Sequence, residues 1–278
     1  MSNKIRGLVC HRRADHAGSA IFNFQFSIFN CERVFALQSL WESLKAQFDL
    51  CFIQRNRWRF ITTGLGNTLL ITLLALLLGT FIGVIIAGVR STYDKTADNA
   101  RPTLGRKILG FFNGVCKVYI TVLRGTPVVV QLMIICLVIF SWSDNGVALA
   151  SLAFGLNSGA YVAEIIRGGI MSIDNGQFEA GRSLGFNYLQ TMWYVVLPQV
   201  VKNVLPSLMN EFIALLKETS VAGYAAVRDL TYGGNTIAGQ TYSYFMPLIA
   251  VALIYLAMVM TLTAIVGRVE RRLRSSDH

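Results

Sequence analysis

The chain has 278 residues, 54% hydrophobic and only 14% charged, with a formal net charge of +10. Soluble globular domains carry roughly 45–50% apolar and about 25% charged residues, so this composition excludes an ordinary soluble fold and identifies a membrane protein. The positive charge is accounted for by a basic N-terminus and by segments flanking apolar runs, so no nucleic-acid partner is needed to explain it.

Residues 1–40 mix "HRRADH" with "IFNFQFSIFN", lack a small-residue cleavage site after a clean apolar core, and do not read as a signal peptide. No second Met occurs before Met133, and we expect roughly the first thirty residues to be a misassigned start. From Trp41 the chain becomes coherent. Leu44, Phe48 and Phe52 recur at i, i+4 and i+8, with charges elsewhere, which predicts an amphipathic helix over 41–59 lying in the membrane interface.

Five spans follow within a transmembrane domain over 60–268. Uncharged runs at 60–89, 125–143, 146–163 and 230–267 are as long as, or longer than, the roughly 20 residues a bilayer helix needs. The fifth, 192–216, is interrupted by Lys202, Glu211, Pro198 and Pro206, which are tolerated only where protein or a water-filled cavity covers them. In the first span Ala75, Gly79, Gly83 and Ala87 fall four apart, a smooth stripe along which another helix approaches closely, most simply within one subunit. Five spans scarcely enclose a pathway, whereas two copies supply ten.

Lys and Arg set the orientation. Arg90, Lys95, Arg101, Arg106, Lys107, Lys117 and Arg124 follow the first span, and Arg268, Arg271, Arg272 and Arg274 lie at or in the basic tail 269–278. Both ends read as cytoplasmic, which places the segment before Phe60 outside even though Lys45, Arg55, Arg57 and Arg59 strain that assignment. Cysteines 10, 31, 51, 116 and 136 form no CxxC pair and no ligand spacing with histidine, so neither a disulfide scaffold nor a metal site is indicated.

Between the third and fourth spans, over 173–198, the chain turns polar and glycine-punctuated. Asp174 with Gln177 predicts a helix start, Gly185 is placed to end that helix in the left-handed conformation, and Asn187 with Gln190 starts the next. Ala180 and Gly181 leave one flank nearly bare for a partner surface, with Glu179 and Arg182 beside it to fix orientation. An amphipathic loop resting on lipid is the alternative, but such a loop carries a row of Lys and Arg, and this one has a single Arg.

Glu179-Ala180-Gly181, three residues, Gly185, nine residues, then Val195-Val196-Leu197-Pro198 resembles the EAA loop of permease subunits of ABC importers, written E-A-A-x-x-x-G-x9-I-x-L-P. Gly181 stands in place of the second Ala and Val195 in place of Ile. "TVLRGTPVVVQL" at 121–132, "SGAYVAEIIRGGI" at 158–170 and "LLKETSVAG" at 215–223 are similar to the polar amino acid branch of that family. The resemblance covers Trp41 to the C-terminus and implies an all-α, type-1 importer permease fold in a bacterial inner membrane, with the N-terminus outside and the C-terminus cytoplasmic. It implies that Glu179, Ala180, Gly181, Gly185, Leu197 and Pro198 couple to an ATPase. This chain has no G-x-x-x-x-G-K-[ST] phosphate loop, so ATP and Mg belong to two copies of a separate ATPase subunit. An external solute-binding protein and a second permease chain, a copy or a paralogue, complete the complex.

Arg124, Asn157, Tyr161, Glu164 and Glu211 are candidates for a substrate pathway, because polar groups inside spans are costly to keep. Each has a structural alternative. Glu164 pairs with Arg167 at i, i+3, Arg124 anchors at the interface, and Asn157 bonds to a neighbouring span. Asn157 lies closest to the expected midplane, Glu211 lies deeper than an interfacial residue should and suits the cavity better, and Trp193 and Tyr194 suit the aromatic belt. A self-sufficient channel or secondary transporter also buries charges but has no use for the 173–198 segment. A membrane-embedded enzyme needs clustered histidines or a nucleophile with its base, and no histidine lies between His16 and His278.

Overall fold

The computed structural model describes residues 41–95 and 104–275. The expected misassigned start and Arg101 lie outside the described residues. Residues 41–56 are one unit: helix over 41–48 continues as a π-turn at Asp49–Ile53, with the Phe48 and Phe52 rings 5.1 Å apart. Gln54 then leaves the helical region with ψ 133°, ending the helix, and Arg55 and Asn56 take left-handed backbone angles, φ 55° and 54°, which side chains disfavour. The amphipathic helix expected over 41–59 therefore ends at Ile53.

The second unit begins at Arg57. Its helices are α1 (Trp58–Lys95), α2 (Leu104–Gly125), α3 (Val128–Ile139, ending in a π-turn), α4 (Gly146–Met171), α5 (Asn175–Ser183), α6 (Tyr188–Thr191), α7 (Leu197–Glu218), α8 (Leu230–Thr241) and α9 (Phe245–Ser275). Among the described residues there is no strand, and four helices are long and apolar enough to cross a membrane: α1, α2, α4 and α9.

The core is the contact of α1 with α4, which run parallel. Gly79 faces Gly155, Ser158 and Gly159, and Gly83 faces Val162; a methyl on Gly83 would come within 2.5 Å of Val162 Cγ1. Leu78 and Ile82 of α1 occupy in return the space over Gly155 and Gly159. Ala75, Gly79, Gly83 and Ala87 are all buried, so the small-residue stripe is used within the chain. Helices in lipid associate through such close packing, since apolar burial alone gives them no preference for one another.

The other directions follow from side-chain contacts. α2 runs back along α1, with Gly110 beside Tyr93 and the Tyr119 hydroxyl donating to the Leu156 carbonyl at 2.5 Å. α7 runs antiparallel to α4, with Val204 over Gly169 and Ser158 donating to Glu211 at 3.0 Å. α8 returns along the start of α1, where a methyl on Gly64 would meet the Asp229 carbonyl at 2.5 Å, and Val251 of α9 packs on Gly234. Trp58 and Ser275 thus lie at opposite ends of the bundle, and the 173–188 segment lies at the Ser275 end.

Two span assignments are corrected. The basic loop expected between the first two spans contains α2, whose Leu104, Ile108, Phe111, Val115, Val118 and Val122 form a stripe of residues each more than half exposed. The run 125–143 is the second half of the same crossing, because α2 and α3 are separated only by Thr126-Pro127. The run 230–267 is divided by Tyr242, whose φ is 53°. Its lack of charge concealed the turn.

Side chains satisfy part of the backbone at the break between α2 and α3. Pro127 has no N–H to give the Leu123 carbonyl four residues back, and that orphaned acceptor is taken up by Gln131 Nε2 at 2.8 Å and Asn157 Nδ2 at 3.1 Å. Gln131 also donates to the Thr126 carbonyl at 3.0 Å, while Asn157 donates to Gln131 Oε1 at 3.0 Å. We expect Asn157→Leu to cost about 1–2 kcal/mol by releasing the carbonyl and unseating Gln131, read as a lower melting temperature in detergent. Gly83→Leu should sharply lower the yield of monodisperse protein in size-exclusion chromatography, whereas Gly88→Leu, with nothing within 4 Å of its added carbon, should not.

Candidate functional site

The 173–198 segment forms an elbow built from matched helix ends. Asp174 caps α5 by accepting from the Gly176 amide at 2.9 Å, which satisfies a donor that the first turn leaves free. The expected return bond from Gln177 is absent; Gln199 Nε2 donates to Gln177 Oε1 at 3.3 Å, tying α5 to α7. At the other end Gly185 has φ +83°, with its amide on the Arg182 carbonyl at 2.9 Å and the Phe186 amide on the Gly181 carbonyl at 3.0 Å. This double closure needs a left-handed residue at that position, which is why glycine stands there. Asn187 and Gln190 then form a full capping box, each side chain accepting from the other's amide.

Glu179, Ala180, Arg182 and Gly185 are exposed. Gly181 is not on that flank: it is buried, and a methyl there would meet Thr191 Cγ2 at 2.5 Å, so it lets α5 and α6 close on each other. Leu197 and Pro198 open α7 directly after the π-turn Met192–Val196, through which the helix runs on without interruption from α6. Sequence reasoning missed Leu184 and Leu189, 74% and 75% exposed on either side of the glycine corner. Their signal is a leucine on each side of the Gly185 helix stop and the Asn187 helix start. The base of the elbow is anchored by Phe178, which joins Ile170, Ile173, Val196, Val200 and Val204 in a buried cluster and stacks on Tyr188 at 6.0 Å.

The substrate-pathway candidates divide. Arg124 stands 5.0 Å from the ring centre of Tyr161 and interacts electrostatically with Glu211, which holds Ser158. These four residues share one polar patch at mid-height, formed by the end of α2, one face of α4, and α7. Asn157 points away from it, into the α2–α3 break. Glu164 pairs with Arg167 at 3.2 Å, as the sequence spacing allows, and also with Arg90 of α1; Arg167 reaches Asp94 at 3.4 Å. A separate groove of about 400 Å³ between α1, α4 and α7, lined by Val84, Ile170, Met192, Val200 and Val204 among others, is almost wholly apolar and unsuited to a zwitterion.

Residues 103–275 match the family described as binding-protein-dependent transport system inner membrane component. The chain is 36% identical over 222 residues to the arginine transport system permease protein ArtQ of Bacillus subtilis (strain 168), covering 78% of this chain and 94% of that relative. It is 35% identical over 217 residues to the putative glutamine transport system permease protein GlnP of Rickettsia typhi (strain ATCC VR-144 / Wilmington), covering 77% and 93%. Among solved structures, the crystal structure of an amino acid ABC transporter with histidines superposes with a TM-score of 0.66 at 38% identity, over 77% of this chain and 94% of that one. An inward-facing MetNI methionine ABC transporter superposes at 0.62 over 79% of this chain and 99% of that one; its 17% identity speaks to fold alone. The chain is a multi-pass membrane protein with the type-1 ABC importer permease fold, and it belongs to the family of binding-protein-dependent transport system inner membrane components.

Proposed function

We propose that this chain is the permease subunit of an ATP-driven importer of polar amino acids, of the glutamine, glutamate, histidine or arginine class. The observation that carries the reading is the elbow, a capped helix–glycine corner–helix that presents Glu179, Ala180, Leu184 and Leu189 at one end of the bundle. Two ATPase subunits, which hold ATP and Mg, dock on the elbows of two permease chains. A solute-binding protein delivers the amino acid at the opposite, outer end. Closure of the ATPases draws the elbows together and rocks the spans between inward-facing and outward-facing states. The elbow and the C-terminus are cytoplasmic, and the Trp58 end faces outward, in line with the basic residues of α2 and the tail.

The substrate class is supported by the names of the relatives and by the mid-height patch. Glu211 and Ser158 offer acceptors for an ammonium group, and Arg124 offers donors for a carboxylate. A self-sufficient transporter leaves the elbow without a purpose. In membranes holding the chain, its ATPase and its binding protein, uptake of labelled arginine, glutamine, glutamate or histidine should require ATP and every component. Glu179→Arg and Gly185→Trp should insert normally yet lose the ATPase on co-purification. Uptake that persists without the ATPase, or unchanged co-purification in both variants, contradicts the proposal.

A further inference from the structure

Lys95 lies in the last described turn of α1. Its Nζ does not extend freely toward headgroups. It donates to Asn175 Oδ1 at 2.7 Å, in the first turn of α5, and lies 4.9 Å from the ring centre of Phe178. A cation held by a neutral amide and an aromatic face keeps favourable contacts without a counter-ion. Phe178 is itself buried among Ile170, Ile173 and Val196. The lysine therefore grips the part of α5 that is least free to move alone.

The same end of α1 is fastened on a second side. Arg90 meets Glu164, and Asp94 meets Arg167, so the last two turns of α1 are tied by charge to α4 as well as to α5. α1 is continuous over 38 residues, about 57 Å at 1.5 Å per residue, longer than the hydrocarbon core. At its far end Gly64 packs on the Asp229 carbonyl, and Gly233 of α8 packs on the Phe60 carbonyl. From the α5 contact at Lys95 to the α8 contacts at Phe60 and Gly64, α1 has no break. The crossing made by α2 and α3 has no such continuity, because Pro127 interrupts it.

We propose that Lys95 is a positioning residue that makes α1 move as one body with α5 of the elbow, so that α1 is the lever carrying the ATPase stroke across the membrane. The proposal rests on the coupling role of the elbow given above. Snorkelling of Lys95 to lipid headgroups is the competing role, and it requires no particular partner on α5.

The test uses the complete complex in proteoliposomes, with uptake and ATP hydrolysis measured together. Lys95→Met keeps the apolar stem and removes the charge. It should retain the bound ATPase and its hydrolysis while uptake per ATP falls about tenfold, as the loss of one charge-assisted contact predicts. Asn175→Ala should lower the same ratio, the double variant should be no worse than the more affected single, and Lys95→Arg, which keeps both contacts, should restore most of it. An unchanged ratio in Lys95→Met, or additive losses in the double variant, overturns the lever. Loss of the ATPase from Lys95→Met also overturns it, since docking and not transmission would then be at stake. Absence of the ATPase from the unmodified complex would instead sink the coupling role on which the lever rests.

Discussion

Close approach of the α1 and α4 backbones is the constraint from which the rest of the bundle follows. Glycines at 79, 83, 155 and 159 let each helix seat its larger side chains over the other's bare turns, and this fixes the two helices parallel and in register. Parallel neighbours in one chain must be separated by a crossing that returns, and α2 with α3 supplies it. The register also brings Arg90 and Asp94 opposite Glu164 and Arg167, so the charged groups at that end neutralise one another in a setting where an isolated charge is expensive. A side chain at Gly83 would therefore disturb the charge cluster as well as the packing.

Two kinds of polar structure sit on this frame and do different things. The amide network of Gln131 and Asn157 serves the backbone, satisfying the Leu123 and Thr126 carbonyls at a helix interruption. The patch of Arg124, Tyr161, Ser158 and Glu211 instead brings a guanidinium and a carboxylate together between α2, α4 and α7. Asn157 and Ser158 are adjacent in sequence and turn to opposite tasks, because successive residues on a helix point about 100° apart. The elbow joins the frame through Phe178, Gln199 and Lys95, so its buried side is committed to the bundle while its outer side stays open.

Much of this was legible beforehand, for identifiable reasons. Asp174, Gly185, Asn187 and Gln190 are local signals, and each acts within a few residues of itself, so the elbow could be read without a fold. The Glu164 and Arg167 pair was readable from helical spacing, but its link to Arg90, 74 residues away, was not. α2 was hidden because its four basic residues were weighed as a loop average, whereas on a helix they leave one face purely apolar. Gly181 was read as an open flank because sequence gives a glycine's smallness but not the direction from which a neighbour comes; that neighbour is Thr191 of the same chain. The Tyr242 turn carries no charge, and its local signals, the polar Thr241-Tyr242-Ser243-Tyr244 stretch and Pro247 in the first turn of α9, were absorbed into one uncharged run.

The central claim is that the exposed corner of the elbow lies in the cytoplasm and is covered by an ATPase. Leu184→Cys, compared with the unmutated chain, can be labelled by a membrane-impermeant maleimide in right-side-out and inside-out vesicles. The account predicts labelling in inside-out vesicles only, and protection when the ATPase subunit is bound. Labelling in right-side-out vesicles, or equal labelling with and without the bound ATPase, would contradict it.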